Sequence, residues 1–162
     1  MNRTRNFLIM FGVALLFVAV FFIMSTFSKE PQMAHDFYAG THKGEVISLY
    51  DNIGKTPTAL LFADPEVEGS NTVLSRLLEK KDSIDIIVVS VSKLEVEKQM
   101  ELLPKGWDSI EKFCFEGSDA IEKYNIGNAP ILYFIDKDGF VQDAFVAGIK
   151  ETTLDKTIKK LS

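Results

Sequence analysis

"TALLFADPEVEGSNTVLSRLLEKK", Thr58–Lys81, decides the fold. Its first six residues, Thr58–Ala63, form a continuous apolar run of strand length, the pattern of a central strand covered on both faces. Further on, Val73, Leu74, Leu77 and Leu78 recur at spacings of three and four and mark one face of an amphipathic helix. Ser70 or Asn71 can cap that helix. Many α/β enzymes place their chemistry where such a strand hands over to such a helix. The intervening loop, Asp64–Ser70, nevertheless contains no cysteine, histidine, lysine or phosphate-cradling glycine pattern.

Outward from this unit the pattern continues. "IDIIVVSVS", Ile84–Ser92, is a second central strand, and "KLEVEKQMELLP" is a helix closed by Pro104. "KFCF" is a brief strand and "GSDAIEKYNI" a short helix. "APILYFID", a "DKDG" turn and "FVQDAFVAG" form a hairpin. "KETTLDKTIKKL" makes a last helix, with Leu154, Ile158 and Leu161 on one face. Upstream, "EVISL" is a short strand. Parallel βαβ elements followed by an antiparallel hairpin and a terminal helix make an α/β fold, a compact mixed sheet flanked by helices.

The N-terminus is of another kind. Phe7–Phe27, "FLIMFGVALLFVAVFFIMSTF", carries no charge and as a helix would reach about 30 Å, the thickness of a bilayer's hydrocarbon core. It shows no polar face and reads as a transmembrane helix. Arg3 and Arg5 precede it, which places the N-terminus in the cytoplasm and the rest outside. The exit "IMSTFSKE" lacks a small-x-small cleavage site, which favours a retained anchor over a signal peptide. The expected organisation is residues 1–28 as cytoplasmic N-terminus and anchor, 29–43 as a linker, and 44–162 as the globular domain. Beyond the anchor 16 basic residues face 23 acidic ones, a net charge of −7, which argues against nucleic acid or anionic lipid as a partner surface.

Three stretches carry a family resemblance: "GEVISLYDNIGKTPTALLFAD", "NAPILYFIDKDGFV" and "VAGIKETTLDKTIKKL". Together they resemble the thioredoxin-like fold and, within it, the membrane-tethered TlpA/ResA-type redoxins, over nearly all of Gly44–Leu161. The resemblance implies that Pro130 follows a cis peptide bond at Ala129 and borders a groove for an extended substrate strand. It also implies a Cys-x-x-Cys where the Asp64–Ser70 loop meets its helix. The positions matching those two cysteines hold Val67 and Ser70, and no cysteine lies anywhere in residues 1–113. Valine offers no lone pair, and a serine without a base is a poor nucleophile. The family's dithiol chemistry is therefore missing.

Other groups are weighed in turn. Asp64, Glu66 and Glu68 alternate along the loop and are the one place where a hard cation or acid–base chemistry is conceivable. A solvated acidic loop at a helix N-terminus is the simpler reading, so no metal and no cofactor are expected. Cys114 is the chain's one cysteine; by alternation it faces away from Phe113 and Phe115. It is a core residue, or else the nucleophile of a single-cysteine redoxin or peroxidase. Trp107, in a loop beside Gly106, is a candidate partner contact, whereas Phe134, Phe140 and Phe145 recur at strand spacing and read as core. His35 and His42 read as exposed linker residues.

The sequence thus leads to a cell-membrane protein with a redox-inactive thioredoxin-like domain on the extracytoplasmic side. Its partners would be the membrane, through residues 7–27, and extended segments of envelope proteins. These would be held at Ala129, Pro130, Asp64, Glu66, Glu68 and Trp107 in a chaperone-like or scaffolding role. The competing class is a thiol enzyme using Cys114; the third is a structural envelope protein.

Overall fold

The computed structural model describes residues 32–161. The expected membrane segment Phe7–Phe27 lies outside them, and among the described residues no helix is long and apolar enough to cross a membrane. Eight strands form one sheet: β1 (Gln32–Met33), β2 (Tyr38–Thr41), β3 (Val46–Ser48), β4 (Thr58–Ala63), β5 (Asp85–Ser90), β6 (Lys112–Glu116), β7 (Ile131–Ile135) and β8 (Phe140–Val146). Four α-helices accompany them among the described residues: α1 (Glu68–Leu78), α2 (Val96–Leu102), α3 (Ser118–Lys123) and α4 (Glu151–Leu161). Across the sheet the strands run β1-β8-β7-β4-β5-β6-β2-β3.

The all-apolar run at Thr58–Ala63 becomes the buried central strand β4, every residue of which is covered. It pairs in parallel with β5, from Thr58↔Asp85 to Ala63↔Ser90. On its other side it pairs antiparallel with β7, from Thr58↔Ile135 to Phe62↔Ile131. That second register sets the beginning of β7 beside the end of β4, where the chain turns into α1.

Alternation sorts the strands onto two faces. Ala59, Leu61, Ala63, Val88, Leu132 and Phe134 pack against Val73, Leu74 and Leu77 of α1 and Leu154 and Ile158 of α4. Leu60, Phe62, Ile87, Val89 and Cys114 point the other way, against Ala34, Phe37, Leu49 and Ala120. A polar network closes the end of the sheet where β4, β5 and β6 begin. Lys112 Nζ donates to Asp85 Oδ2 at 2.7 Å and to Asn52 Oδ1 at 2.6 Å, while Asn52 Nδ2 donates to Asp85.

The sheet extends further toward the N-terminus than the expected boundary at Gly44. The segment 29–43, read as a linker, is built into the fold over its described part. β2 pairs with both β3 and β6, and Phe37 and Ala39 are buried in the core. "YAGT" is held on one side by a local hairpin with β3 and on the other by β6, more than 70 residues away, and it is the second pairing that joins it to the sheet. The two histidines follow the segment: His35 is exposed, whereas His42 is half-buried with its ring edge-on to Trp107.

Candidate functional site

The site forms where β4 ends, α1 begins and β7 starts. The Asp64–Ser70 loop braces itself. Asp64 N–H donates to Ser70 Oγ at 3.0 Å, Asp64 Oδ1 accepts from Glu66 N–H at 3.1 Å, and Val67 N–H donates to Asp64 O at 2.9 Å. Asn71 Nδ2 ties the loop outward, donating to Pro65 O at 2.9 Å and to Leu102 O at the end of α2 at 3.1 Å.

Helix α1 starts earlier than the capping residues suggest. Val67 is the N-cap and makes no side-chain cap bond; Ser70 sits inside the first turn and is fully buried, and Asn71 follows it. Neither polar residue caps, because Ser70 Oγ is taken by the Asp64 N–H and Asn71 Nδ2 by Pro65 O and Leu102 O. Val67 and Glu68 are exposed. The positions that match the two cysteines thus have unlike surroundings: Val67 is 38% exposed at the helix tip, and Ser70 is 0% exposed one turn in. Ser70 Oγ serves as an acceptor within the loop, and among the described residues no base is hydrogen-bonded to it.

Pro130 faces this helix tip. The Ala129–Pro130 peptide is cis, and a Cβ placed on Gly69 would lie 3.7 Å from the Pro130 ring and 3.9 Å from Ala147 O. Ala147 N–H donates to Pro130 O at 3.0 Å, with Ala147 in the left-handed region at φ 63°. Neither backbone polar group of Ala129 has a hydrogen-bond partner among the described residues. Val146, opposite Ile131 in the β7–β8 register, is 69% exposed. Gly69, Val146 and Ala147 did not stand out in the sequence. The β7–β8 register, once known, would have placed Val146 and Ala147 beside Pro130.

Of the expected site residues, the fold brings Asp64, Val67, Ser70, Ala129 and Pro130 to this one end. Glu66 and Glu68 are on its rim, exposed to solvent. The three carboxylates do not converge, and among the described residues no group of three histidine, cysteine, aspartate or glutamate side chains is placed to hold a metal. Trp107 is elsewhere. Its ring meets those of Phe113 and Phe115 edge-on at 5.1 and 5.7 Å and that of His42 at 5.2 Å. This cluster lies beside β6, three strand positions from β7, or ~14 Å at the usual strand spacing. An aromatic cluster offered three ring neighbours, and the loop folded onto it.

Cys114 is also remote and wholly buried. Burial pushes its thiol up to about 12, the reverse of what a nucleophilic or peroxidatic cysteine requires. Its nearest polar contact is the Lys112 carbonyl at 3.9 Å, and Lys112 Nζ is turned to Asp85 and Asn52.

No family model matches the sequence, and no curated protein matches it. Solved structures do. A putative thiol:disulfide interchange protein DsbE from Chlorobium tepidum is 18% identical, with 81% of this chain and 96% of that one covered at a TM-score of 0.65. A thioredoxin family protein from Chlorobium tepidum TLS is 16% identical, covering 83% and 98% at 0.68. The thioredoxin domain of a thiol-disulfide oxidoreductase from Bacteroides vulgatus is 19% identical, covering 83% and 100% at 0.66. The fold is therefore thioredoxin-like, and the chain that adopts it has one cysteine and no Cys-x-x-Cys pair.

Proposed function

We propose that this chain is a membrane-anchored, redox-inactive thioredoxin-like module. Its groove beside Pro130 holds an extended segment of an envelope protein on the extracytoplasmic side, in a chaperone-like or scaffolding role. The observation that carries this reading is the pairing of a missing reaction centre with an intact platform. The helix tip bears Val67 and buried Ser70 where thiols would be needed, yet the cis Ala129–Pro130 bond is kept beside it, with the buried Pro130 ring against Gly69. The N–H and carbonyl of Ala129 are unengaged among the described residues. An extended chain lying there would gain main-chain hydrogen bonds in the manner of strand addition. Residues 7–27 supply the anchor, and confinement near a membrane raises the effective concentration of partners in the same membrane.

The test is site-directed photocrosslinking in intact cells, with a photoreactive amino acid at Val67, at Val146, or at Lys81 beyond the C-terminal end of α1. A discrete adduct is expected from the first two positions and not from the third. Gly69→Leu, whose Cβ would lie in van der Waals contact with the Pro130 ring and Ala147 O, should abolish it while leaving the fold intact by circular dichroism. Equal adducts from all three positions would remove the groove from the account.

A further inference from the structure

We infer that the segment this groove accepts is apolar at its centre and basic on its flank; the inference rests on the binding reading above and names its partner class. Pro130 itself is buried against Gly69 at the base of this end. On the helix side stands Val67, on the hairpin side Val146, both among the exposed large apolar residues of the domain. Ile131, half-buried, continues the surface from Pro130. These groups present hydrocarbon and no side-chain donor or acceptor, so the residue of a partner that sits among them is apolar.

The rim has the opposite character. Glu66 and Glu68 flank Val67 and are exposed, and neither carboxylate has an ion-pair or hydrogen-bond partner among the described residues. Asp64, the third acidic residue, is turned back onto the Glu66 N–H. Two unpaired carboxylates therefore lie within one or two residues of the apolar seat, on a chain whose part beyond residue 28 carries a net −7. At physiological salt such charges act over about 8 Å, which covers the residues of an extended segment next to the one seated against Val67. Lysine or arginine there is attracted and aspartate or glutamate repelled. Complementarity of this kind selects partners and speeds encounter more than it deepens affinity. A second copy of this chain, with the same negative charge, is disfavoured as the occupant.

The test is selection of a randomised octapeptide display library on the full chain, purified in mild detergent, followed by fluorescence anisotropy on the enriched peptides. The expected peptides carry an apolar core next to Lys or Arg and are depleted in Asp and Glu. They should weaken about fivefold or more between 50 mM and 500 mM salt, and lose binding on Gly69→Leu. The double substitution Glu66→Lys/Glu68→Lys should reverse the preference toward acidic flanks. Apolar peptides without basic bias, still lost on Gly69→Leu, would overturn the partner class and leave the groove standing. Peptides indifferent to Gly69→Leu, or no enrichment at all, would overturn both.

Discussion

At the scale of single residues, Gly117 shows how tightly the second face of the sheet is packed. A Cβ there would lie 2.2 Å from Val89 Cγ1, and Val89 is fully buried, so neither side can give way cheaply. Gly117→Ala is expected to cost ~1–3 kcal/mol, the usual range for overpacking a core. Val89→Ala in the same chain should recover part of it; chemical denaturation of the two variants checks this. Cys114 makes a second residue-scale prediction. Its thiol is raised from an ordinary 9.0 to about 12 by burial, so between those values the unfolded chain has lost a proton that the folded one keeps. Stability from this group is whole below pH 9 and falls as pH rises toward 12. Cys114→Val should flatten that part of the pH–stability curve, measured by urea midpoints from pH 8 to 11. The direction of Cys114 was legible from alternation with Phe113 and Phe115; its complete burial was not, because the segments that cover it come from Ala34–Phe37 and α3.

The informative element is α1. Its apolar face was written plainly in the spacing of Val73, Leu74 and Leu77, and those residues are buried as expected. Its start lies one turn earlier than the polar residues suggest, with Val67 as the N-cap. Polar side chains at Ser70 and Asn71 look like caps, but Ser70 points inward to the Asp64 N–H and Asn71 reaches Pro65 O and Leu102 O. A cap rule scores the capacity to bond the helix's own N–H groups, and here the preceding loop and Leu102 claimed it. At the resulting helix tip Ser70 N–H donates to Val67 O at 2.9 Å, which holds positions 67 and 70 one turn apart, within the short Cα separation a disulfide spans. The double substitution Val67→Cys/Ser70→Cys is therefore expected to oxidise to an intramolecular disulfide. Mass spectrometry should show a loss of two hydrogens and no free thiol at either position, with Cys114 unlabelled until the protein is unfolded. Persistence of both thiols in air-oxidised protein would show that the loop does not hold the two positions in reach.

Over the whole molecule, the decisive residues are those read as a tether. Phe37 lies at 0% exposure in the core beside Leu49 and Leu60, and loss of such a phenylalanine costs ~3–5 kcal/mol, a large part of the total stability of a small domain. Deleting residues 32–43 also removes Ala34, Ala39 and strand β2. A fragment beginning at Gly44 is thus expected not to fold, whereas one beginning at Gln32 should unfold cooperatively in a single transition; heating both and following circular dichroism decides. By itself the sequence determined the elements whose signals are local: the unbroken apolar run of β4, the 3.6-residue periodicity of α1 and α4, the turn between β7 and β8, and the absence of the dithiol. It also supplied the two halves of the site, Asp64–Ser70 and Ala129–Pro130, as separate segments. Tertiary structure decided what depends on pairing across many residues. The Phe62↔Ile131 register set the two halves side by side. Beyond its local hairpin with β3, β2 was joined to the sheet by β6, and the ring contacts at β6 drew Trp107 away from the groove. Such choices are made by burial against partners distant in the chain, and that burial leaves no periodicity in the segment that is recruited.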